Sequence, residues 1–178
     1  LLSGFGVRAG IGCSSRIGRA GTVGVLVATN GGEPHRLALN GVPIGRWLAD
    51  LAPLPVSYRR SFAAVLITDA PLLPAQLNRL AQRAAFGLVR VGLLDERTVS
   101  GTMLAVSTTG LNDAMAGLAP ETVTARPTTE AVLHDLFAAG ADACEEAVLN
   151  ALVAAHNQNT NVDGVPGLPV DAFRAAAQ

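Results

Sequence analysis

The sequence predicts an α+β layered domain. Three observations carry that reading. β-branched, strand-like runs come in pairs, two longer stretches show helical spacing, and the regular βαβ alternation of a dinucleotide-binding fold is absent. The 178 residues are expected to form a single domain (1-178), and 49% of them are hydrophobic, ample for a core. Aromatic residues are only 4%, so aliphatic side chains and alanine must fill it.

"GVRAGIGCSSR" (6–16) mixes glycine with small alternating residues, as in a strand whose backbone is closely approached. "TVGVLVATN", Thr22 to Asn30, is a β-branched run stopped by the turn signal Asn30-Gly31-Gly32. "HRLALNG" reads as a short return strand, and Ile44 to Leu51 as a short helix before the proline-broken loop "APLPVSYRR". Ser61 to Thr68 is nearly continuous in apolar residues, which predicts a strand buried on both faces.

Pro74 suits the first position of a helix. Leu77, Leu80, Ala81, Ala84, Leu88 and Val91 then recur at helical spacing until Gly92 stops them. Gly101 to Thr108 is a further strand. The long helix runs from Thr128 to about His156, with Leu133, Phe137, Gly140, Cys144, Val148, Leu152 and Ala155 in one stripe. "HNQNTNVDGVPG" reads as a loop and "VDAFRAAA" as a last short helix.

Charge and composition exclude several classes. The net charge is -1 and charged residues are 15%, so the clustered positive charge of a nucleic-acid partner is lacking. All 13 basic residues are arginine, which reads as coding bias. Apolar stretches are broken by Asp and Pro well short of the ~20 residues of a membrane span, so no membrane partner is expected. "GFGVRAG" lacks the spacing of a phosphate-binding glycine fingerprint.

Cys13 and Cys144 have no metal-binding spacing and are expected as two buried thiols, one disulfide being the alternative. His35, His134 and His156 show no metal spacing either. His134 is expected at the surface and His156 at a helix C-terminus, where the dipole favours it. Asp69 is expected in local turn hydrogen bonding, with a substrate-amine role as the lesser reading. Glu145 and Glu146 are neighbours on a helix and cannot form an acid pair. No positively charged n-region precedes an apolar core, so no signal peptide is expected. The first residue is Leu1 instead of Met, which suggests a processed product or a fragment. The expected location is the cytoplasm, with the periplasm left open.

Ser61 raises the sharpest question. It opens a buried strand directly after a loop, in "YRRSFAAVLITDAPLLP". A serine freed at a chain N-terminus gains an α-amine of pKa about 7.7–8.0. That amine can act as base for the serine's own hydroxyl. The plain alternative is a structural strand residue.

The segment "SFAAVLITDAPLLPAQLNRLAQRAAFGLVRVG" resembles the start of the small subunit in the DmpA/BapA family of aminopeptidases, self-cleaving N-terminal-nucleophile hydrolases. Three further pieces match in order. "GVRAGIGCSSR" is similar to the family's F-K-G-G-I-G-T-x-S-R strand. "TVGVLVATNGG" with "LNGVPIGR" is similar to its VGVLVQANFG…GVPVGR, and "CEEAVLNALVAA" to its T-E-E-A-V-L-N-A-L helix. The resemblance covers essentially the whole chain. It implies an αββα four-layer sandwich, of which this chain covers roughly the C-terminal half. Cleavage between Arg60 and Ser61 would leave 1-60 as the end of the large subunit and 61-178 as the small subunit.

The resemblance also implies site residues. Ser61 matches the nucleophile, and Asn30 the residue whose side-chain amide stabilises the oxyanion, a donor commonly worth ~3 kcal/mol. Ser100 matches a serine that, with an acid, relays to the nucleophile and its amine. The acid position holds Thr102, which carries no negative charge to raise a neighbour's basicity. Arg60 stands where the family has Gly or Asn before the nucleophile, and lacks their backbone freedom. His156 stands where a glutamate is common. The family's catalytic tyrosine lies in its N-terminal half, and Tyr58, the one tyrosine here, is not assigned to that role.

The resemblance thus implies an enzyme that releases N-terminal residues from small peptides, amides or esters, without metal or organic cofactor. It would work as a homo-oligomer of processed large/small subunit pairs. The contrasting reading is a non-catalytic relative that keeps the fold as a scaffold or binding module.

Overall fold

The computed structural model describes residues 2–48, 61–94, 100–109, 128–156 and 165–171. A hairpin of β1 (Ser3–Gly4) and β2 (Val7–Arg8) leads into β3 (Ile11–Gly18) and β4 (Gly21–Asn30). After a short 3-10 turn at Pro34–Arg36 come α1 (Gly45–Leu48), β5 (Ser61–Thr68), α2 (Pro74–Arg90), β6 (Ser100–Ser107) and α3 (Glu130–Ala155). The larger sheet has the order β3-β4-β5-β6. Its first two pairings are antiparallel and β5–β6 is parallel. The α+β class expected from the sequence is therefore observed.

A parallel pair needs a long crossover, and α2 supplies it. Pro74 occupies the first turn, where a missing N–H costs nothing, and Leu73 N–H donates to Gln76 Oε1 at 3.0 Å. At the other end Gly92 adopts φ 83. The N–H groups of Leu93 and Gly92 close on the carbonyls of Leu88 and Val89 at 2.9 and 3.0 Å, the Schellman arrangement.

α2 and α3 pack on each other, α3 against β3 and β4, and α2 against β6. The core is the seam between helices and sheet. Val23, Val25 and Val27 of β4, with Ala64 and Leu66 of β5, meet Leu80, Ala84 and Leu88 of α2 and Leu133, Leu136, Val148 and Leu152 of α3. The whole expected stripe of α3 is buried. On the rim, Arg79 holds Glu130, Arg90 holds Asp142, and Glu146 takes Ser14 and Arg16, tying α2 to α3 and α3 to β3. The hydrogen bond from Ser14, then that from Arg16, holds the Glu146 carboxyl below its usual range.

The glycine-rich start of β3 has the expected cause. A Cβ on Gly12 would lie 1.9 Å from the Ala147 carbonyl oxygen and 2.5 Å from the Ala151 nitrogen. Only a bare backbone lets α3 settle on β3. Gly12→Ala is expected to destabilise the fold by roughly 1–3 kcal/mol through overpacking. Gly10→Ala, with nothing within 4 Å, should be nearly silent. Equal denaturation midpoints for the two variants would disprove this seating of α3.

Several expectations are corrected. "GVRAGIGCSSR" is not one strand: Phe5 and Gly6, at φ 55 and 78, form a tight turn, and β2 precedes β3. "HRLALNG" is not a strand but a 3-10 turn begun by Pro34, then a single bridge Leu39↔Val42 around Asn40-Gly41. Of the helix expected over 44–51, Gly45–Leu48 is helical and the remainder lies outside the described residues. The last helix begins at Val170, and residues after Asp171 lie outside the described part.

β5 is not buried on both faces. Ala64, Leu66 and Thr68 point into the seam, while Ala63 and Ile67 are exposed on the face opposite the helices. Both cysteines are free, but only Cys144 is buried; Cys13 lies on that same open face. Burial pushes the Cys144 thiol up to about 12, so it is inert as a nucleophile near neutral pH.

Candidate active site at the end of the sheet

Strand register brings the predicted residues together. Asn30, the last residue of β4, pairs with Ser61, the first of β5, and Ser61 pairs with Ser100, the first of β6. Side chains in one cross-strand row share a face. Asn30 Nδ2 donates to Ser61 Oγ at 3.3 Å, and Asn30 Oδ1 accepts from Ser3 N–H at 3.4 Å. Asn30 and Ser61 are half-buried and Ser100 is exposed. Thr102 follows on the same face, opposite Ala63, and is exposed. Arg60 and Tyr58 lie outside the described residues.

Among the described residues, the strands place no charged side chain on the open face. β3 contributes Ile11, Cys13, Ser15 and Ile17; β4 contributes Thr22, Gly24, Leu26, Ala28 and Asn30. β5 adds Ser61, Ala63, Val65 and Ile67, and β6 adds Ser100, Thr102, Leu104 and Val106. Asn30, Ser61, Ser100 and Thr102 form a neutral polar cluster at one end of an otherwise largely apolar surface. Among the described residues, no carboxylate on this face stands beside Ser61 to raise the basicity of an amine there.

The histidines are engaged elsewhere. His35 lies 3.4 Å from Glu33, His134 is 4.0 Å from Glu130, and His156 Nδ1 meets the Val153 carbonyl at 2.6 Å. His134 is a surface residue and His156 a helix C-cap, as the sequence suggests. Asp69 Oδ1 accepts from Thr22 N–H at 2.6 Å, a partner 47 residues away, so in place of the expected local turn bond it ties the end of β5 to the start of β4. It follows the far end of β5, roughly 23 Å from Ser61 at strand rise, which removes it from the cluster. Glu145 faces Arg90 and Glu146 faces Arg16, so they form no acid pair. Among the described residues no three His, Cys, Asp or Glu side chains gather as metal ligands, and no helix is long and apolar enough to cross a membrane.

Two supports were not anticipated from the sequence. A Cβ on Gly101 would stand 2.2 Å from the Phe62 ring, so glycine between Ser100 and Thr102 lets that ring lie over β6. The β1–β2 hairpin touches Asn30 itself, through Ser3. Neither contact leaves a motif, because one is a missing side chain and the other a backbone amide.

A sheet layered with helices on one face, and a serine at the start of an inner strand facing an asparagine amide, are features of an N-terminal-nucleophile architecture. The chain belongs to peptidase family S58, whose family model matches residues 2–165. It is 36% identical to the beta-peptidyl aminopeptidase BapA of Sphingosinicella microcystinivorans, a match covering 96% of this chain and 48% of that protein. Among solved structures it is similar to the PH0078 protein of Pyrococcus horikoshii OT3, with TM-score 0.79 and 32% identity over 99% of this chain and 50% of the other. It is also similar to the L-aminopeptidase D-Ala-esterase/amidase of Ochrobactrum anthropi, an Ntn-hydrolase variant, with TM-score 0.79 and 31% identity. That match covers 98% of this chain and 49% of the other. The chain spans about half the length of the curated relatives it matches. Its helical layer and sheet correspond to one αβ half of the αββα sandwich.

Proposed function

We propose that the full-length protein is a self-processing N-terminal serine hydrolase that releases N-terminal residues from small peptides, amides or esters. The observation that carries this reading is the donor contact from Asn30 Nδ2 to Ser61 Oγ, between register-matched strand ends. In processing, Ser61 Oγ attacks the Arg60 carbonyl carbon, the peptide bond gives way to an ester, and water releases Ser61 as an N-terminus.

In turnover the α-amine of Ser61 takes the hydroxyl proton while Oγ attacks the substrate carbonyl carbon. Asn30 Nδ2 donates to the oxyanion. The ammonium returns its proton to the leaving amine, and an acyl-ester remains on Ser61. Water, deprotonated by the same amine, then cleaves the ester. Ser100, one strand over, orients the amine by accepting from it. Thr102 supplies a hydroxyl and no charge, so the amine works near its free pKa of about 7.7–8.0. Activity therefore rises with pH through that range, where the amine loses its proton. The working form is a homo-oligomer of processed pairs, with residues 1-60 in the large subunit and 61-178 the small one. No metal or organic cofactor takes part.

Thr102 also motivates a second reading, a non-catalytic relative that keeps the fold as scaffold. Denatured intact mass with N-terminal sequencing separates the two. A fragment beginning Ser-Phe-Ala-Ala, absent from Ser61→Ala, is the expected result. A wild-type chain continuous through Arg60–Ser61, with Ser61 unlabelled by a sulfonyl fluoride, would reduce Ser61 to a strand residue.

A further inference from the structure

An asparagine amide has two unlike ends, a carbonyl oxygen that accepts and an NH2 that donates. Asn30 can serve an oxyanion only with its NH2 end toward Ser61. Something must choose between the two orientations, and the β1–β2 hairpin stands where that choice is made.

The hairpin turns through two residues, Phe5 and Gly6, so Gly4 and Val7 close it and Ser3 pairs with Arg8 one step further out. Next to a two-residue turn the closing pair exchanges hydrogen bonds and the following pair does not. The following exchange fits, since Ala9 N–H donates to Leu2 O at 3.1 Å. Ser3 N–H is thereby turned away from β2, and it donates to Asn30 Oδ1 at 3.4 Å. With Oδ1 held there, Nδ2 is the end that faces Ser61 Oγ. In the flipped amide, Nδ2 would oppose the Ser3 N–H, donor against donor, and Oδ1 would repel negative charge at the reacting centre.

The hairpin is anchored for this task. Phe5 is fully buried at φ 55, a left-handed conformation that bulky residues rarely adopt. Its N–H donates to Gly31 O at 2.9 Å, and Gly4 bridges Gly31, the residue after Asn30. Its ring fills the space beside Gly32, where a Cβ would lie 2.4 Å from Phe5 Cε1. The unusual backbone is thus fixed against the same turn that ends at Asn30.

We infer that the Ser3 backbone amide, carried on the Phe5–Gly6 hairpin, is a positioning group that holds the Asn30 amide with its donor end toward Ser61. This rests on the reading of Ser61 as nucleophile and Asn30 as oxyanion donor. Proline at residue 3 deletes the N–H without removing a hairpin hydrogen bond, and edge strands accept proline. Ser3→Ala keeps the N–H and serves as the conservative comparison.

Full-length wild type, Ser3→Pro, Ser3→Ala, Asn30→Ala, Ser61→Ala and the double variant Ser3→Pro/Asn30→Ala are compared. Hydrolysis of alanyl p-nitroanilide and the rate of Ser61 labelling by phenylmethanesulfonyl fluoride are the readouts. Ser3→Pro is expected to lower kcat at least about tenfold more than Ser3→Ala, toward the 10²–10³-fold loss of a missing oxyanion donor, with KM little changed. In the Asn30→Ala background Ser3→Pro should add nothing, because its action passes through Asn30.

Equal kcat in Ser3→Pro and Ser3→Ala, or an undiminished effect of Ser3→Pro without Asn30, would overturn the inference. If Ser61→Ala retains hydrolysis, or wild type shows neither hydrolysis nor labelling, the nucleophile reading fails and this inference with it. A dead Ser61→Ala beside an unaffected Ser3→Pro defeats the inference alone. Should Ser3→Pro not fold, an amide-to-ester exchange at Leu2–Ser3 removes the same N–H and decides the matter.

Discussion

Asn30→Asp is expected to lower kcat of the proposed full-length hydrolase by at least about 10³-fold while leaving the fold intact. The substitution is nearly isosteric, and a carboxylate still accepts the Ser3 N–H that Asn30 Oδ1 accepts at 3.4 Å. What changes is the atom facing Ser61, a donor at 3.3 Å becoming a negatively charged oxygen. Losing an oxyanion donor alone costs about 2.7–4 kcal/mol in the transition state. Repulsion between two unit charges some 3.3 Å apart adds about 5 kcal/mol at an effective dielectric of 20. Both effects act where negative charge develops, so kcat should fall far more than KM rises. The self-cleavage proposed before Ser61 would pass through the same kind of oxyanion and should slow as well. A variant that keeps a tenth of wild-type kcat would remove Asn30 from the site.

The sequence made Ser61 legible because three local signals coincide there: the end of a proline-broken loop, the start of an apolar run and a family motif. Pro74 and Gly92 announced the ends of α2 for an equally local reason, since each fits a helix terminus by its own backbone chemistry. The side-chain partners of Ser61 were harder to read. Asn30-Gly31-Gly32 is a turn signal in any protein, and only strand register shows that its first residue faces Ser61. The Ser3 contact could not be read at all. It uses a backbone amide, on a hairpin whose Phe5-Gly6 turn lacks the usual Asn-Gly or Asp-Gly signature. The parallel pairing of β5 with β6 was likewise hidden, because a single crossover helix sets no repeating rhythm.

The double-sided burial expected for Ser61–Thr68 points to something the sequence encodes beyond this chain. Its composition is that of a strand inside a stack of layers, yet Ile67 is 47% exposed, and Val106 beside it 37%. Leu26 and Ile11 are also exposed on that face, where the described strand residues carry no charge to keep it in water. An uncharged apolar surface of this kind marks an interface. In the αββα arrangement the second sheet lies against it, and the curated relatives are about twice as long as this chain.

Ile67 and Val153 make that expectation measurable, since each is 47% exposed here. Val153 lies on α3, in the helical layer, and Ile67 on the opposite, open face of the sheet. By exposure alone, an aspartate should be tolerated equally at both. In the full-length protein Ile67→Asp is expected to cost roughly 3 kcal/mol or more, because an unpaired charge would be trapped between sheets. Val153→Asp should stay within about 0.5 kcal/mol, as surface substitutions usually do. Denaturant midpoints of the two variants settle it. A large loss at Ile67 with little at Val153 means the open face is an internal surface of the complete molecule, and that the Ser61 cluster works at the edge of a closed sandwich. Equal, small losses would mean that the face remains in water and that Ser61, Asn30 and Ser100 lie on an uncovered sheet.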